Sequence, residues 1–188
     1  MENKNKLILF VSSGLSGGIT TELVKNTNKI LSDMYTILNI QFANDPDYKD
    51  VILKEYSKIT LEEIYSAFDK VIASHKPKIY IGHSFSGLLS MYYLLERSEL
   101  LRSAEKIILL DPTDTAVAYP YLMSNTDRIA VDSSITARMK LTTNPELIQC
   151  LRDKGVDVLQ LEASDYDLDH ECKDFKKLKK MYQDLHLL

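Results

Sequence analysis

The ten residues from Lys78 to Gly87, Lys-Ile-Tyr-Ile-Gly-His-Ser-Phe-Ser-Gly, can carry nucleophilic chemistry. Ile79, Tyr80 and Ile81 form a short apolar run that reads as a buried strand, and Leu88, Met91, Tyr92 and Leu95 recur at helical spacing just beyond it. The tight turn between them carries Ser84 at its apex, which is the context of a nucleophile elbow. Such a turn stands the serine hydroxyl at the C-terminal edge of a sheet. The positions two residues to either side must be small, because helix and strand pass close together there. Gly82 meets that demand; Ser86 is the next smallest choice after glycine and alanine, and Gly87 follows it. A serine hydroxyl is a poor nucleophile until a base takes its proton, and that base should be a histidine held by a carboxylate. The chain offers His75, His83, His170 and His186, and it places Asp111 and Asp132 at the ends of apolar runs. Two N–H donors aimed at the developing oxyanion would complete the site. The chemistry is acyl transfer.

The elements that must position these groups are legible along the chain. Leu7 to Val11 is a buried strand, followed by Ser13-Gly14-Leu15-Ser16-Gly17-Gly18 and a helical pattern through Ile19, Leu23, Ile30 and Met34. A second strand covers residues 36–42, and residues 43–47 are a loop on composition. Thr60-Leu61-Glu62-Glu63 is a capping box; the helix behind it buries Leu61, Ile64, Phe68, Val71 and Ile72 and stops before Pro77. After the Ser84 strand and helix come a strand over residues 106–110, a weak helix over 113–124 and a short strand over 128–132. Asn144-Pro145-Glu146 reads as cap then proline, with Gly155 as the stop. Residues 156–161 are the last strand, and a closing helix from about Glu171 carries Phe175, Leu178, Tyr182 and Leu185 on one face. Six strand-helix repeats make a single α/β domain over residues 1–188: a three-layer, doubly wound, mostly parallel sheet of about six strands.

The Gly-His-Ser elbow and the first glycine loop resemble the α/β-hydrolase family, and the element order resembles that of a minimal, lidless member over nearly the whole chain. The resemblance implies the chain order nucleophile, acid, histidine. It gives Ser84 as nucleophile and His170, between the last strand and last helix, as base. His83 adjoins the serine and points away from it, His75 lies on an exposed turn, and His186 lies in the C-terminal tail. The acid is Asp111, with Asp132 the alternative. Most of the family carries the acid a few residues beyond the strand where Asp132 lies, but those positions hold Ser133, Ser134, Ile135 and Thr136. Thioesterase domains and chlorophyllase-like enzymes carry it one strand earlier, in a stretch similar to Asp111-Pro112-Thr113-Asp114. The oxyanion donors are then the backbone N–H groups of Leu15 and Phe85, with Ser13 where family loops often have histidine. Tyr119, Tyr121 and Leu122 are candidate pocket walls.

Rival chemistries are poorly supported. The glycine loop lacks the Gly-Lys-Ser/Thr of a phosphate loop and the Gly-x-Gly-x-x-Gly of a dinucleotide fold. Asp165-Tyr166-Asp167-Leu168-Asp169 starts like a calcium loop, but His170 stands where that loop needs glycine and the distal Glu is absent. Lys173, Lys176, Lys177, Lys179 and Lys180 read as a solvated helix face. With 188 residues, 45% hydrophobic and 27% charged, and a net charge of −4, the composition is that of an ordinary globular domain and does not favour nucleic acid. No apolar run reaches membrane-spanning length. Cys150 and Cys172 have no metal or redox spacing and, with no secretory pattern at the start, read as reduced thiols of a cytoplasmic protein. The expected activity is hydrolysis of a small-molecule carboxylester or thioester, with no metal or cofactor. The alternative is a non-catalytic ligand- or partner-binding protein on the same fold. Acyl-chain length, leaving group and oligomeric state are not encoded legibly.

Overall fold

The computed structural model describes residues 7–13, 21–39, 60–97, 104–124, 133–139 and 143–188. Strands β1 (Leu7–Ser13), β2 (Tyr35–Asn39), β3 (Ile79–His83), β4 (Lys106–Leu110) and β5 (Leu159–Leu161) form one sheet in the order β2-β1-β3-β4-β5. Every pairing is parallel. The helices are α1 (Glu22–Leu31), α2 (Leu61–His75), α3 (Ser84–Arg97), α4 (Thr115–Ser124), α5 (Ser133–Met139), α6 (Asn144–Asp153) and α7 (Phe175–Asp184), with a 3₁₀ turn at Ala163–Tyr166.

Alternation along the strands sends side chains into two cores. Leu9, Val11, Ile79, Ile81, Ile108 and Leu110 pack under α1 and α7. Phe10, Tyr80, Ile107 and Leu109 face α2 to α6, where Phe10, Phe68, Tyr80 and Tyr93 form an aromatic cluster with ring separations of 5.0 to 6.3 Å. Helices therefore cover both faces of the sheet, as a parallel sheet requires.

Several local expectations are met and some are revised. The Thr60–Glu63 capping box forms, with Thr60 N donating to Glu63 Oε2 at 2.7 Å and Glu63 N to Thr60 Oγ1 at 3.1 Å. The cap of α6 is Thr143 rather than Asn144. Asn144 instead accepts from Thr115 N through Oδ1 and donates through Nδ2 to the Thr113 carbonyl, both at 3.1 Å. Phe175 opens α7 and is 39% exposed, while Met181 joins Leu178, Tyr182 and Leu185 inside. The expected last strand is shortened to Leu159–Leu161, because only those residues lie opposite Ile108–Leu110. The expected strand over residues 128–132 lies outside the described residues, and β5 pairs directly with β4.

The close approach of strand and helix at the Ser84 turn is made by Gly82 and Gly87. A Cβ on Gly82 would come 3.2 Å from Gly87 Cα and 2.8 Å from Ser90 Oγ. One on Gly87 would come 3.1 Å from Pro112 Cα and 3.2 Å from the Gly82 carbonyl. This explains how Ser86 is accommodated: the crowded position is one residue later. Gly87→Ala is expected to destabilise the protein by about 1–3 kcal/mol through overpacking against two backbones, despite the roughly 1 kcal/mol of helix propensity that alanine adds. Urea unfolding checks it, and unchanged or raised stability would show that the contact relaxes freely.

Candidate active site

The register places four strand ends in one row: Ser13 opposite His83, His83 opposite Leu110, and Leu110 opposite Leu161. The chain leaving each strand therefore emerges along a single sheet edge. Ser84 follows β3, Asp111 follows β4, and the segment carrying His170 follows β5. The ladder continues one step beyond β4, with Asp111 N donating to the Leu161 carbonyl at 2.8 Å. Thr113 N donates to the Ser84 carbonyl at 3.1 Å and ties the β4 exit to the serine turn.

Ser84 and Asp111 both have left-handed backbones, with φ of 56° and 44°. For a non-glycine residue this conformation is uncommon, and a serine held there points to a constrained site. The strain turns the chain from strand to helix without an intervening loop, so Ser84 is the first residue of α3 and stays partly exposed. Phe85 follows in the first helical turn, where amide N–H groups have no intrahelical acceptor.

Ser84 Oγ lies 2.9 Å from His170 Nε2, and His170 Nδ1 lies 3.1 Å from Asp111 Oδ2. The other Asp111 oxygen accepts from Ala163 N at 2.6 Å, which orients the carboxylate. A carboxylate oxygen only accepts, so His170 carries its proton on Nδ1 and leaves Nε2 to accept from the serine hydroxyl. The Asp111 side chain is 16% exposed and that of His170 is 56% exposed. Chemically, the row can take a proton from Ser84 and stabilise the resulting imidazolium.

Two buried groups flank this row. His83 is 4% exposed, and its Nε2 lies 2.7 Å from the His170 carbonyl oxygen. The two imidazole rings are 4.9 Å apart. Burial pushes His83 down to about 4, with the His170 ring acting the same way; the bond to the His170 carbonyl and the charge of Asp111 oppose the shift. Cys172 is fully buried, with φ of 53° and Sγ 4.0 Å from the His170 carbonyl oxygen; burial, then Asp111 and Asp169, push its thiol up to about 12. Sequence reasoning left His83 without a role, and its one signal was a polar ring closing an otherwise apolar strand.

The His83 shift has a consequence for stability. Between about pH 6.5, where an unfolded histidine titrates, and the folded value of about 4, only the unfolded chain takes up the proton. Stability is therefore full above that window and falls as the pH drops through it. Between pH 7 and pH 5 the wild type is expected to lose about 2 kcal/mol more than His83→Gln. Parallel losses in urea unfolding at the two pH values would contradict the assignment.

The remaining candidates divide as follows. Leu15 and Asp132 lie outside the described residues. Tyr119 is half-buried on α4 against the larger core; Tyr121 and Leu122 lie on the same helix, and their side chains are outside the described ones. His75 closes α2 and is exposed, and His186 follows α7. Lys173, just before α7, pairs with Glu171, and Lys177 on α7 pairs with Asp167. Among the described residues no group of His, Cys, Asp or Glu could hold a metal ion, and no helix is long and apolar enough to cross a membrane.

No protein-family model matches the chain, and no curated protein sequence does. Solved structures do. A tomato methylketone synthase I variant in complex with β-ketoheptanoate superposes with a TM-score of 0.54 at 11% identity, covering 98% of each chain. An esterase domain of a Rhodothermus marinus protein gives 0.53 at 13% identity, covering 98% of this chain and 87% of that one. A carboxylesterase structure from the ammonia-oxidizing thaumarchaeon Nitrososphaera gargenis gives 0.52 at 11% identity, covering 100% and 81%. The shared feature at this identity is the fold.

Proposed function

We propose that this chain, which has the α/β-hydrolase fold, is a serine hydrolase that cleaves a carboxylester or thioester through an acyl-enzyme. The observation that carries the reading is the unbroken contact from Ser84 Oγ through His170 to Asp111, at 2.9 and 3.1 Å. These residues are far apart in sequence, Ser84 lying 86 positions and Asp111 59 positions before His170. A site that also constrains its serine backbone fits a reactive role better than a structural one.

In this mechanism His170 Nε2 takes the Ser84 proton as Oγ attacks the substrate carbonyl. Asp111 stays ionised, holds Nδ1–H and stabilises the imidazolium. The amides of Phe85 and Leu15 receive the oxyanion of the tetrahedral intermediate. When that intermediate collapses, His170 gives its proton to the departing alcohol or thiol. A water then loses its proton to His170 and attacks the acyl-enzyme, and the acid departs with Ser84 restored. No step needs a metal or cofactor. Tyr119, Tyr121 and Leu122 are proposed as walls for the acyl group, since their helix begins just beyond Asp111.

Intact-mass labelling with a fluorophosphonate tests the reading. One adduct on wild type and none on Ser84→Ala is the expected pair. No adduct on folded wild type would sink the hydrolase reading and leave a non-catalytic binding protein on this fold. Turnover of matched p-nitrophenyl ester and aryl thioester substrates then separates the two substrate classes.

A further inference from the structure

We propose that His83 is a positioning residue for this site: its Nε2–H, donated to the His170 carbonyl oxygen, holds the loop that carries His170 so that the ring stays between Ser84 and Asp111. The inference rests on the roles of Ser84 and His170 proposed above.

The need for such a tether follows from the surroundings of His170. Its side chain is more than half exposed, and the ring contact it makes is with His83, 4.9 Å away, so packing alone holds the ring weakly. One of its two side-chain partners, Ser84 Oγ, gives up that hydrogen bond in every turnover. The segment from Asp167 to Asp174 has neither helix nor strand and includes two non-glycine residues in the left-handed region, Asp167 and Cys172. It is anchored on both sides of His170. Leu168 N donates to the Ala163 carbonyl at 3.0 Å, and Asn26 Nδ2 donates to the carbonyls of Cys172 and Lys173 at 3.0 and 3.2 Å. The His170 peptide lies between these anchors, and the 2.7 Å bond from His83 ties it to the sheet. The Cys172 thiol also faces that carbonyl, but a sulfur donor at 4.0 Å adds little.

His83 suits this task. It is the last residue of β3, with neighbours in register on both sides at Ser13 and Leu110. Its backbone is therefore among the most constrained near the site, and it immediately precedes Ser84. Nucleophile and base are thus both referenced to the C-terminal end of one central strand, at His83 and the residue that follows it. The acceptor is a carbonyl, so His83 must carry its proton on Nε2. Burial keeps the ring neutral down to about pH 4. The tether thus survives over the working range and places no cation 4.9 Å from the ring that must itself become charged.

Three variants separate positioning from packing. Glutamine sets an amide N–H close to where Nε2 lies; leucine keeps bulk without a donor; asparagine keeps a donor that is too short to reach. His83→Gln is expected to retain kcat on a short p-nitrophenyl ester within about threefold. His83→Leu and His83→Asn are expected to lower it roughly 10- to 100-fold, with KM little changed. Imidazole ¹⁵N spectra give a readout that does not depend on turnover: His170 in wild type and His83→Gln should be one tautomer, protonated on Nδ1, and in the other two variants a mixture. Equal kcat and an unchanged His170 spectrum in folded His83→Leu or His83→Asn would overturn the proposal. So would a loss in His83→Gln as large as theirs. If wild type neither labels nor turns over, the hydrolase reading fails on that result, and the spectra still decide whether His83 orders His170.

Discussion

Replacing His170 by alanine is expected to lower kcat for ester hydrolysis about 10⁴- to 10⁶-fold while leaving the protein folded. The size follows from its position between two partners: Nε2 faces Ser84 Oγ at 2.9 Å and Nδ1 faces Asp111 at 3.1 Å. Without it the serine keeps its proton, and the leaving group receives none. The small structural effect follows from exposure. The ring is 56% exposed, so its truncation opens no core cavity, and the change in unfolding free energy should be about 1 kcal/mol or less. Fluorophosphonate labelling should slow along with turnover, because both need the activated hydroxyl. A variant that turns over ester within tenfold of wild type would remove His170 from the mechanism.

Asp111→Asn carries the second large effect, a fall in kcat of roughly 10³- to 10⁴-fold, by a different route. Asparagine tolerates the left-handed backbone at this position, φ 44°. Its carbonyl oxygen can still accept from Ala163 N, now at 2.6 Å from Oδ1. The amide NH₂ then faces His170 Nδ1. Two donors cannot pair, so the imidazole moves its proton to Nε2, where it can no longer accept from Ser84. Geometry is kept and the tautomer is wrong. Alanine would be a poorer probe, since it also strips the Ala163 N–H of its acceptor and strains the turn. Asp132→Asn, assayed beside it, should stay within a few-fold of wild type; the reverse ranking would transfer the acid's role to Asp132.

The two carboxylates show where reading the chain becomes difficult. Asp111 and Asp132 each follow an apolar run, and only the resemblance carried by Asp111-Pro112-Thr113-Asp114 favours the first. Their difference depends on which strand lies beside the one that precedes His170. Among the described residues β5 pairs with β4, with Leu110 opposite Leu161 and the Asp111 amide bonded to the Leu161 carbonyl, which brings Asp111 beside the strand that precedes His170. Neither contact has a signature in a single sequence, because parallel pairing joins segments separated by a whole crossover. His83 is the sharper case. Its contact with the His170 carbonyl spans 87 residues, and the expectation that it points away from Ser84 gave no hint of what it would reach instead.

Local features were more accessible. Apolar runs and helical periodicity bracket the Ser84 turn within twenty residues, and that is enough to expose a serine between a strand and a helix. The capping box at Thr60 reads correctly because its bonds close within four residues. The sequence points to Asn144 as the α6 cap, one residue late, because Asn144 is as good a cap in isolation as Thr143. Only the tertiary contact with Thr113 and Thr115 draws the Asn144 side chain elsewhere.

The sequence by itself thus determined the repeat of strands and helices, the parallel sheet this demands, and the serine at a strand-helix turn, since each depends on periodicity or on residues a few positions apart. The tertiary structure alone decided the sheet order, the pairing of β4 with β5, the packing of Gly87 on Pro112 and the meeting of Ser84, His170 and Asp111. Those depend on hydrogen bonds and van der Waals contacts near 3 Å between segments distant in the chain, and such distances follow from how all the layers pack together.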